Sequence, residues 1–322
     1  MAACWPQLGE KPALRQVRSL WLVCAALIIA TVSHPQALMA ADDTPPPVRP
    51  GDKPFPGIPA SSPTSDLIQP PWADFSIRDF VLTGGGLAGL VAGSIIKPGN
   101  GIVTTNPFDE AVRNAIGFNA RNSRIPARDV SDLLLSVALV FPVAVDGLVF
   151  TAFVHHDRAL AGQLALVDAE AFLIAGAIQQ LTASLTGRQR PYTRNCANGT
   201  LPPNTTDCQA YNGNRSFFSG HTTLAFTAAA LTCVHHMQLP LYGGVADPIA
   251  CAAGMVVAAT TGVLRVVGDQ HYATDVLAGA FVGLAVGFSV PLLIRPKRPL
   301  RINGIDLALV PTGLGAAIRG DY

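Results

Sequence analysis

The sequence predicts an all-α, multispan transmembrane helix bundle, and three observations predict it. Charged residues make up 13% of the 322 positions and apolar residues 49%, whereas soluble globular chains carry about 25% charge. Mean hydropathy is +0.36, too apolar for a disordered chain, and the charge is too sparse to coat a soluble domain. Apolar segments close to the length of a spanning helix recur from Phe80 onward. The formal net charge of +1 excludes a strongly basic nucleic-acid binder and an acidic solvating protein. Six cysteines in so long a chain exclude a miniprotein built on disulfides.

Residues 1–40 read as a signal peptide or an N-terminal anchor. Lys11, Arg15 and Arg18 precede 13 uncharged residues, Leu20 to Val32, and small residues follow at Ala37, Ala40 and Ala41. That order fits a secretory signal, although Leu38 stands where a smaller residue is usual. As a helix the run covers about 20 Å, short of the roughly 30 Å hydrocarbon layer; an uncleaved anchor is the alternative. Residues 41–75 hold ten prolines and predict an extended linker without a core.

A membrane-embedded domain is expected over 76–295. Its uncharged segments are Phe80–Ile96, Leu133–Val145 continuing past Asp146 to Val154, Ala159–Gly187 with Asp168 and Glu170 inside, Ser216–Ala246, Pro248–Leu264 and Val276–Ile294. Helices are favoured because a backbone in lipid must satisfy its own hydrogen bonds. Phe80–Ile96 is the weakest, being 17 residues long and interrupted by Gly84-Gly85-Gly86. Asn106, Pro107, Asp109 and Glu110 predict the capped start of an amphipathic surface helix through Phe118. The tail 296–322 follows Arg295 with Lys297, Arg298 and Arg301, a basic flank, and then a short strand-like run.

Three polar clusters stand at the ends of apolar segments. They are Gly187-Arg188-Gln189-Arg190-Pro191-Tyr192, Ser216-Phe217-Phe218-Ser219-Gly220-His221-Thr222, and Arg265 with His271 and Asp275. Singly, each has an ordinary reading, since arginines at helix ends snorkel and a lone histidine is usually a satisfied core residue. Together they complement one another. Arg190 and Arg265 offer planar forks for phosphate oxygens. Ser219-Gly220-His221 opens a long helix whose amides and dipole face an anion. His271 and Asp275, four apart, are expected on one helix face, with the carboxylate holding one imidazole nitrogen. His221 supplies a second imidazole for proton transfer.

These clusters resemble the signature of the type 2 phosphatidic acid phosphatase and vanadium haloperoxidase superfamily. Its pattern is Lys, six residues, Arg-Pro; then Pro-Ser-Gly-His; then Ser-Arg, five residues, His, three residues, Asp. Arg190-Pro191, Ser219-Gly220-His221 and Arg265, His271, Asp275 match it in order and spacing. The resemblance implies a six-helix phosphatase core, a lipid phosphate or pyrophosphate as substrate, no cofactor and no metal. It also implies roles: His271 the nucleophile, Asp275 its partner, His221 the acid and base. Arg190, Arg265, Ser219 and Gly220 would hold the phosphoryl oxygens. The chain departs from the pattern at Ala183, where the family has its lysine, at Phe218 and at Leu264. Arg188 is the nearest cation that could stand in for that lysine. A vanadate-dependent haloperoxidase and a catalytically weakened lipid-phosphate-binding protein are the alternative readings.

Other residues carry structural expectations. Asp168 and Glu170, in the helix before the first motif, are expected in an ion pair with Arg188 or another cation, and Asp146 in a similar one. His235-His236 is expected at the membrane interface. Cys196 and Cys208 flank an 11-residue polar loop and could form a disulfide if that loop is extracytoplasmic, whereas Cys233 and Cys251 are expected as reduced packing residues. The family usually places its site outside the cytoplasm, as the basic tail also suggests. The basic residues between Lys97 and Arg128 and a cleaved signal pull the other way if Phe80–Ile96 crosses the membrane, so a non-spanning or tilted segment is expected there.

Overall fold

The computed structural model describes residues 77–294 except 100–105, 119, 198, 201, 203, 206, 207 and 209–212, and the strand backbone at 300–302, 305–312 and 315–321. The signal or anchor over 1–40, the linker over 41–75 and the basic cluster from Arg295 to Lys297 and Arg298 lie outside the described residues.

Among the described residues, the α-helices of ten or more residues are, in chain order, α1 (Ile77–Ile95), α2 (Pro107–Ile116), α3 (Arg121–Val140), α4 (Arg158–Thr186), α5 (Gly220–Gln238), α6 (Ala246–Val267) and α7 (Ala273–Ser289). α3 continues without a break into a wider π-helical stretch, Phe141–Val154. Pro142 has no amide hydrogen to give the previous turn, which accounts for the widening there. Among the described residues, α3 with its extension, α4, α6 and α7 are long and apolar enough to cross a membrane, and the chain is an integral membrane protein. Large apolar side chains such as Leu133, Phe153, Val256 and Phe281 stay exposed on the outer faces, the reverse of a soluble core. The tail departs from an all-α chain: β1 (Leu300–Ile302), β2 (Ile305–Thr312) and β3 (Gly315–Asp321) form an antiparallel meander.

Glycines set how closely the helices approach. Gly279, Gly283 and Gly287 form one stripe of α7 that lies on the Ser219, Thr223 and Thr227 carbonyls of α5, and a Cβ at Gly279 would come within 2.7 Å of Ser219 O. Gly86, Gly89 and Gly93 of α1 do the same against Leu173, Ala177 and Leu181 of α4. Small residues let backbones meet where lipid supplies no hydrophobic drive. The triple glycine does not break α1, because Gly86 is used in this contact while Gly84 and Gly85 face open space. Ascending numbers match along both helices, so α1 and α4 run in the same direction.

Two apolar clusters fill the bundle. Leu160, Leu164, Val167 and Ala171 of α4 meet Leu231 and Val234 of α5 and Val290. Leu135 and Ala138 of α3 meet Ala225, Ala228 and Ala229 of α5 and Ala258 of α6. α5 therefore runs through the middle, which explains why it can carry threonines and histidines that lipid would penalise.

The far end of α5 overturns one expectation and details two others. His235 and His236, in the last turn of the helix, are buried against protein groups. His235 Nε2 lies 3.1 Å from Asp168, and His236 Nδ1 lies 2.7 Å from Asp247. Asp146 joins the same cluster and accepts from the Tyr242 hydroxyl at 2.6 Å. Asp168 and Asp146 thus pair with histidines, as the expectation of Arg188 or another cation allowed, and Arg188 is held elsewhere. Cys233 and Cys251 are joined in a disulfide between α5 and α6 instead of packing as thiols. Their apolar setting gave no sign of it; the closeness of two helices did.

Candidate active site

The motif residues come from four places that the bundle brings to one end. α4 closes on Gly187, whose positive φ of 59° and amide bonded back to Ala183 O turn the chain out of the helix. Arg188 and Arg190 follow at once. Ser219 caps α5, its side chain accepting from the Thr222 amide. Arg265 lies in the last turn of α6, and His271 sits in the connection to α7, just before the helix that holds Asp275.

His271 is buried, 2% exposed. Its Nδ1 lies 2.8 Å from the Ser216 carbonyl, to which it donates, and 3.8 Å from Asp275 Oδ2. The expected direct bond to Asp275 across one helix face is therefore not formed, because α7 begins only at Ala273. With Nδ1–H committed to a carbonyl, Nε2 keeps its lone pair. Burial, and next the positive charge of Arg190, push the imidazole down from 6.5 to about 3. A neutral, oriented imidazole results.

Arg190 and Arg265 lie near enough for their charges to act on it. Arg190 donates to Gln270 at 3.1 Å; burial pushes its pKa below the ordinary value. Arg265, 3% exposed, donates from one terminal nitrogen to Ser131 at 3.0 Å and Asp132 at 2.8 Å. The Nε groups of both arginines are buried with no protein hydrogen-bond partner among the described residues. His221 Nε2 lies 2.8 Å from the same Asp132 oxygen that Arg265 binds, so His221 and Arg265 flank one point. Buried donors left unmet are costly unless a ligand takes them.

Arg188 is placed differently from the expected phosphate contact. It is 7% exposed and its fork lies between Asp275 Oδ1 at 2.5 Å and Asp109 Oδ2 at 2.7 Å. Its guanidinium also stacks 4.3 Å above the Tyr272 ring. Two carboxylates hold it away from the role of the missing lysine, and Ala183 itself is buried in α4. Gly220 also has a packing reason: a Cβ there would meet the Gln179 side chain at 3.1 Å.

Sequence reasoning missed Asp132, Asp109, Gln270 and the Ser216 carbonyl. Asp109 read only as an acid in a first turn, yet it accepts from the Thr274 amide at 2.8 Å across 165 positions. Asp132 adjoins an apolar run and could have been noticed as an acid at its edge. Beside the site, Cys196 and Cys208 are joined in a disulfide with their Cα atoms 5.6 Å apart, closing the loop between the first two motifs. α2 is clamped over the same end by Arg113, which donates to both Asp269 oxygens at 2.6 and 2.9 Å, and by a Glu110–Arg194 pair.

Bundle and cluster together define a helical membrane protein with arginine and histidine groups gathered at one end. The model of the PAP2 superfamily matches residues 165–299, which hold all three motifs, and the resemblance read from those motifs holds across that segment. Lipid A 1-phosphatase of Porphyromonas gingivalis is 44% identical over 72 residues, 22% of this chain. That match spans only 15% of the relative's length. A solved structure, the first transmembrane PAP2 type phosphatidylglycerolphosphate phosphatase from Bacillus subtilis, is similar with a TM-score of 0.41 and 19% identity, covering 67% of this chain and 94% of that one.

Proposed function

We propose that the chain is a metal-independent membrane phosphatase that hydrolyses a lipid phosphate or pyrophosphate through a phosphohistidine on His271. The observation that carries this reading is the pair of buried guanidinium groups with unspent Nε donors beside a neutral imidazole whose Nδ1 is already fixed. Such a cluster suits a transferring phosphoryl group, where positioning and charge stabilisation supply most of the catalysis.

In the first step the Nε2 lone pair of His271 forms a bond to phosphorus as the bond to the leaving oxygen breaks. His221, whose free imidazole burial and Arg265 push down to about 4, gives that oxygen a proton it takes up with the anionic substrate. In the second step His221 takes a proton from water, the hydroxide oxygen bonds to phosphorus, and the P–N bond electrons return to Nε2. Arg190, Arg265, Ser219 and the Gly220 amide hold the non-bridging oxygens throughout. The site faces the extracytoplasmic side, where the Cys196–Cys208 disulfide would be stable, and a headgroup would enter while its tail stays in the bilayer.

The test is phosphate release from lipid phosphates in mixed micelles with a chelator present. The unmodified protein is expected to turn over and His271→Ala to lose turnover. Activity retained in that variant would overturn the nucleophile, and activity lost to the chelator would overturn metal independence. The alanine at position 183 favours a second reading, a weakened lipid-phosphate-binding protein. Binding of phosphate without turnover, with turnover gained in Ala183→Lys, would select it.

A further inference from the structure

We propose that Arg188 and Asp109 are a buried positioning pair for the nucleophile, acting through Asp275 and Ser216 on His271 rather than on the phosphoryl group. This inference rests on the phosphatase reading for its kinetics, but its geometry stands apart from it.

Four chain segments meet in one unbroken path of contacts. Asp109, in the first turn of α2, takes Arg188 at 2.7 Å and is itself fixed by the Thr274 amide and hydroxyl at 2.8 and 2.7 Å. Arg188 passes the link to Asp275 at 2.5 Å. The other oxygen of Asp275 accepts from the Ser216 hydroxyl at 2.5 Å and the Tyr272 amide at 2.9 Å. Ser216 is held a second time, its amide donating to the Arg188 carbonyl at 2.9 Å. The Ser216 carbonyl then receives His271 Nδ1–H. Arg188 thus fixes Ser216 from its backbone and, through Asp275, from its side chain. Rotating the imidazole requires moving Ser216, and moving Ser216 requires breaking one of those bonds.

The charges agree with this role. Burial alone would raise the Asp109 carboxyl, but the Thr274 amide and Arg188 hold it below the ordinary range. Burial works against the Arg188 charge too, and the Asp275 and Asp109 carboxylates more than restore it. A cation between two carboxylates leaves no lone negative charge behind the nucleophile. A carboxylate not balanced in this way would draw a proton onto the imidazole and remove its lone pair.

The experiment compares Asp109→Asn, Arg188→Lys and Arg188→Met in the full chain in micelles, with two readouts. In kinetics, a positioning role lowers kcat about 10²-fold in Arg188→Met and about tenfold in Asp109→Asn with KM little changed, since a small misplacement of a reacting group is that costly. Arg188→Lys recovers part of kcat. A rise in KM and weaker inhibition by inorganic phosphate, with kcat kept, would instead make Arg188 a phosphate ligand and overturn the proposal. In nitrogen NMR of histidine-labelled protein, His271 of the unmodified chain stays neutral with its proton on Nδ1 at pH 5. In Arg188→Met it titrates at higher pH and loses that fixed tautomer. An unchanged His271 signal in Arg188→Met would refute the positioning role. Asp109→Asn keeps the size of the side chain, so it carries the test if Arg188→Met fails to fold. An unmodified protein that releases no phosphate would sink the phosphatase reading, and the NMR titration would still decide this one.

Discussion

Asp132 shows how one side chain can serve two partners whose needs differ. Its Oδ1 lies 2.8 Å from both His221 Nε2 and an Arg265 nitrogen, and half of the side chain is exposed. The carboxylate pairs with His221 when that ring carries the proton it must deliver, yet it also takes a donor that a phosphoryl oxygen would use. Asp132→Asn separates the two effects. We expect kcat to fall about tenfold or more, as a general acid loses its partner, while inorganic phosphate inhibits at lower concentration because Arg265 is released. A steady-state assay with phosphate as inhibitor measures both, and unchanged inhibition would mean that Asp132 does not compete for the site. The motif residues Arg190, Ser219, His221, Arg265, His271 and Asp275 were readable in the sequence because their spacing is set locally, by turns at helix ends. Asp109, Asp132 and the Ser216 carbonyl were not, since each matters through a contact made across the bundle. Arg188 was misread for the same reason: its nearness to Arg190 in sequence says nothing of the two carboxylates that enclose it.

α2 starts where Asn106, Pro107 and Asp109 placed it, with Asn106 Oδ1 accepting from the Asp109 amide at 2.8 Å. α3, by contrast, begins at Arg121, twelve residues before the apolar run from Leu133, and α5 ends at Gln238, short of Ala246. Interhelical distance was not readable, because a glycine in lipid can be either a weak spot or a contact. The structure separates these. A methyl at Gly287 would meet Ala230 Cβ at 2.6 Å and Thr227 O at 2.7 Å, both rigid parts of α5, whereas one at Gly84 meets nothing within 4 Å. Gly287→Ala must push α7 from α5, and overpacking of this kind costs about 1–3 kcal/mol. Gly84→Ala removes a poor helix former from an open position and should stabilise by about 0.5–1 kcal/mol. Thermal unfolding in one detergent measures both. Equal effects from the two substitutions would show that the α5–α7 stripe does not set the spacing. Because α5 carries Ser219 and His221 at its start, Gly279→Ala, at the end of that stripe nearest the site, should also reduce turnover, whereas Gly84→Ala should not.

The direction of each helix limits how the molecule can sit in a bilayer. α4 and α6 run toward the end that holds Arg190 and Arg265, while α3, α5 and α7 start there. α1 runs with α4, and Gly99 reaches the same end, its amide 3.4 Å from Ser184 O. Gly99, Asn106 and Arg190 therefore share a face. α7 runs away from that face, and the sequence after it is basic at Arg295, Lys297 and Arg298, as cytoplasmic flanks are. The opposing argument counts Lys97, Arg113, Arg121, Arg124 and Arg128 near the site. Of these, Arg113 and Arg124 face Asp269 and Arg128 faces Asp129, so they have structural work besides orientation. We expect reporters placed after Gly101 and near Asn204 to give the same reading, and that reading to be extracytoplasmic. Opposite readings at the two positions would contradict the parallel course of α1 and α4. Matching cytoplasmic readings would leave the bundle intact but turn the site inward, where a reducing compartment would not keep Cys196 and Cys208 joined.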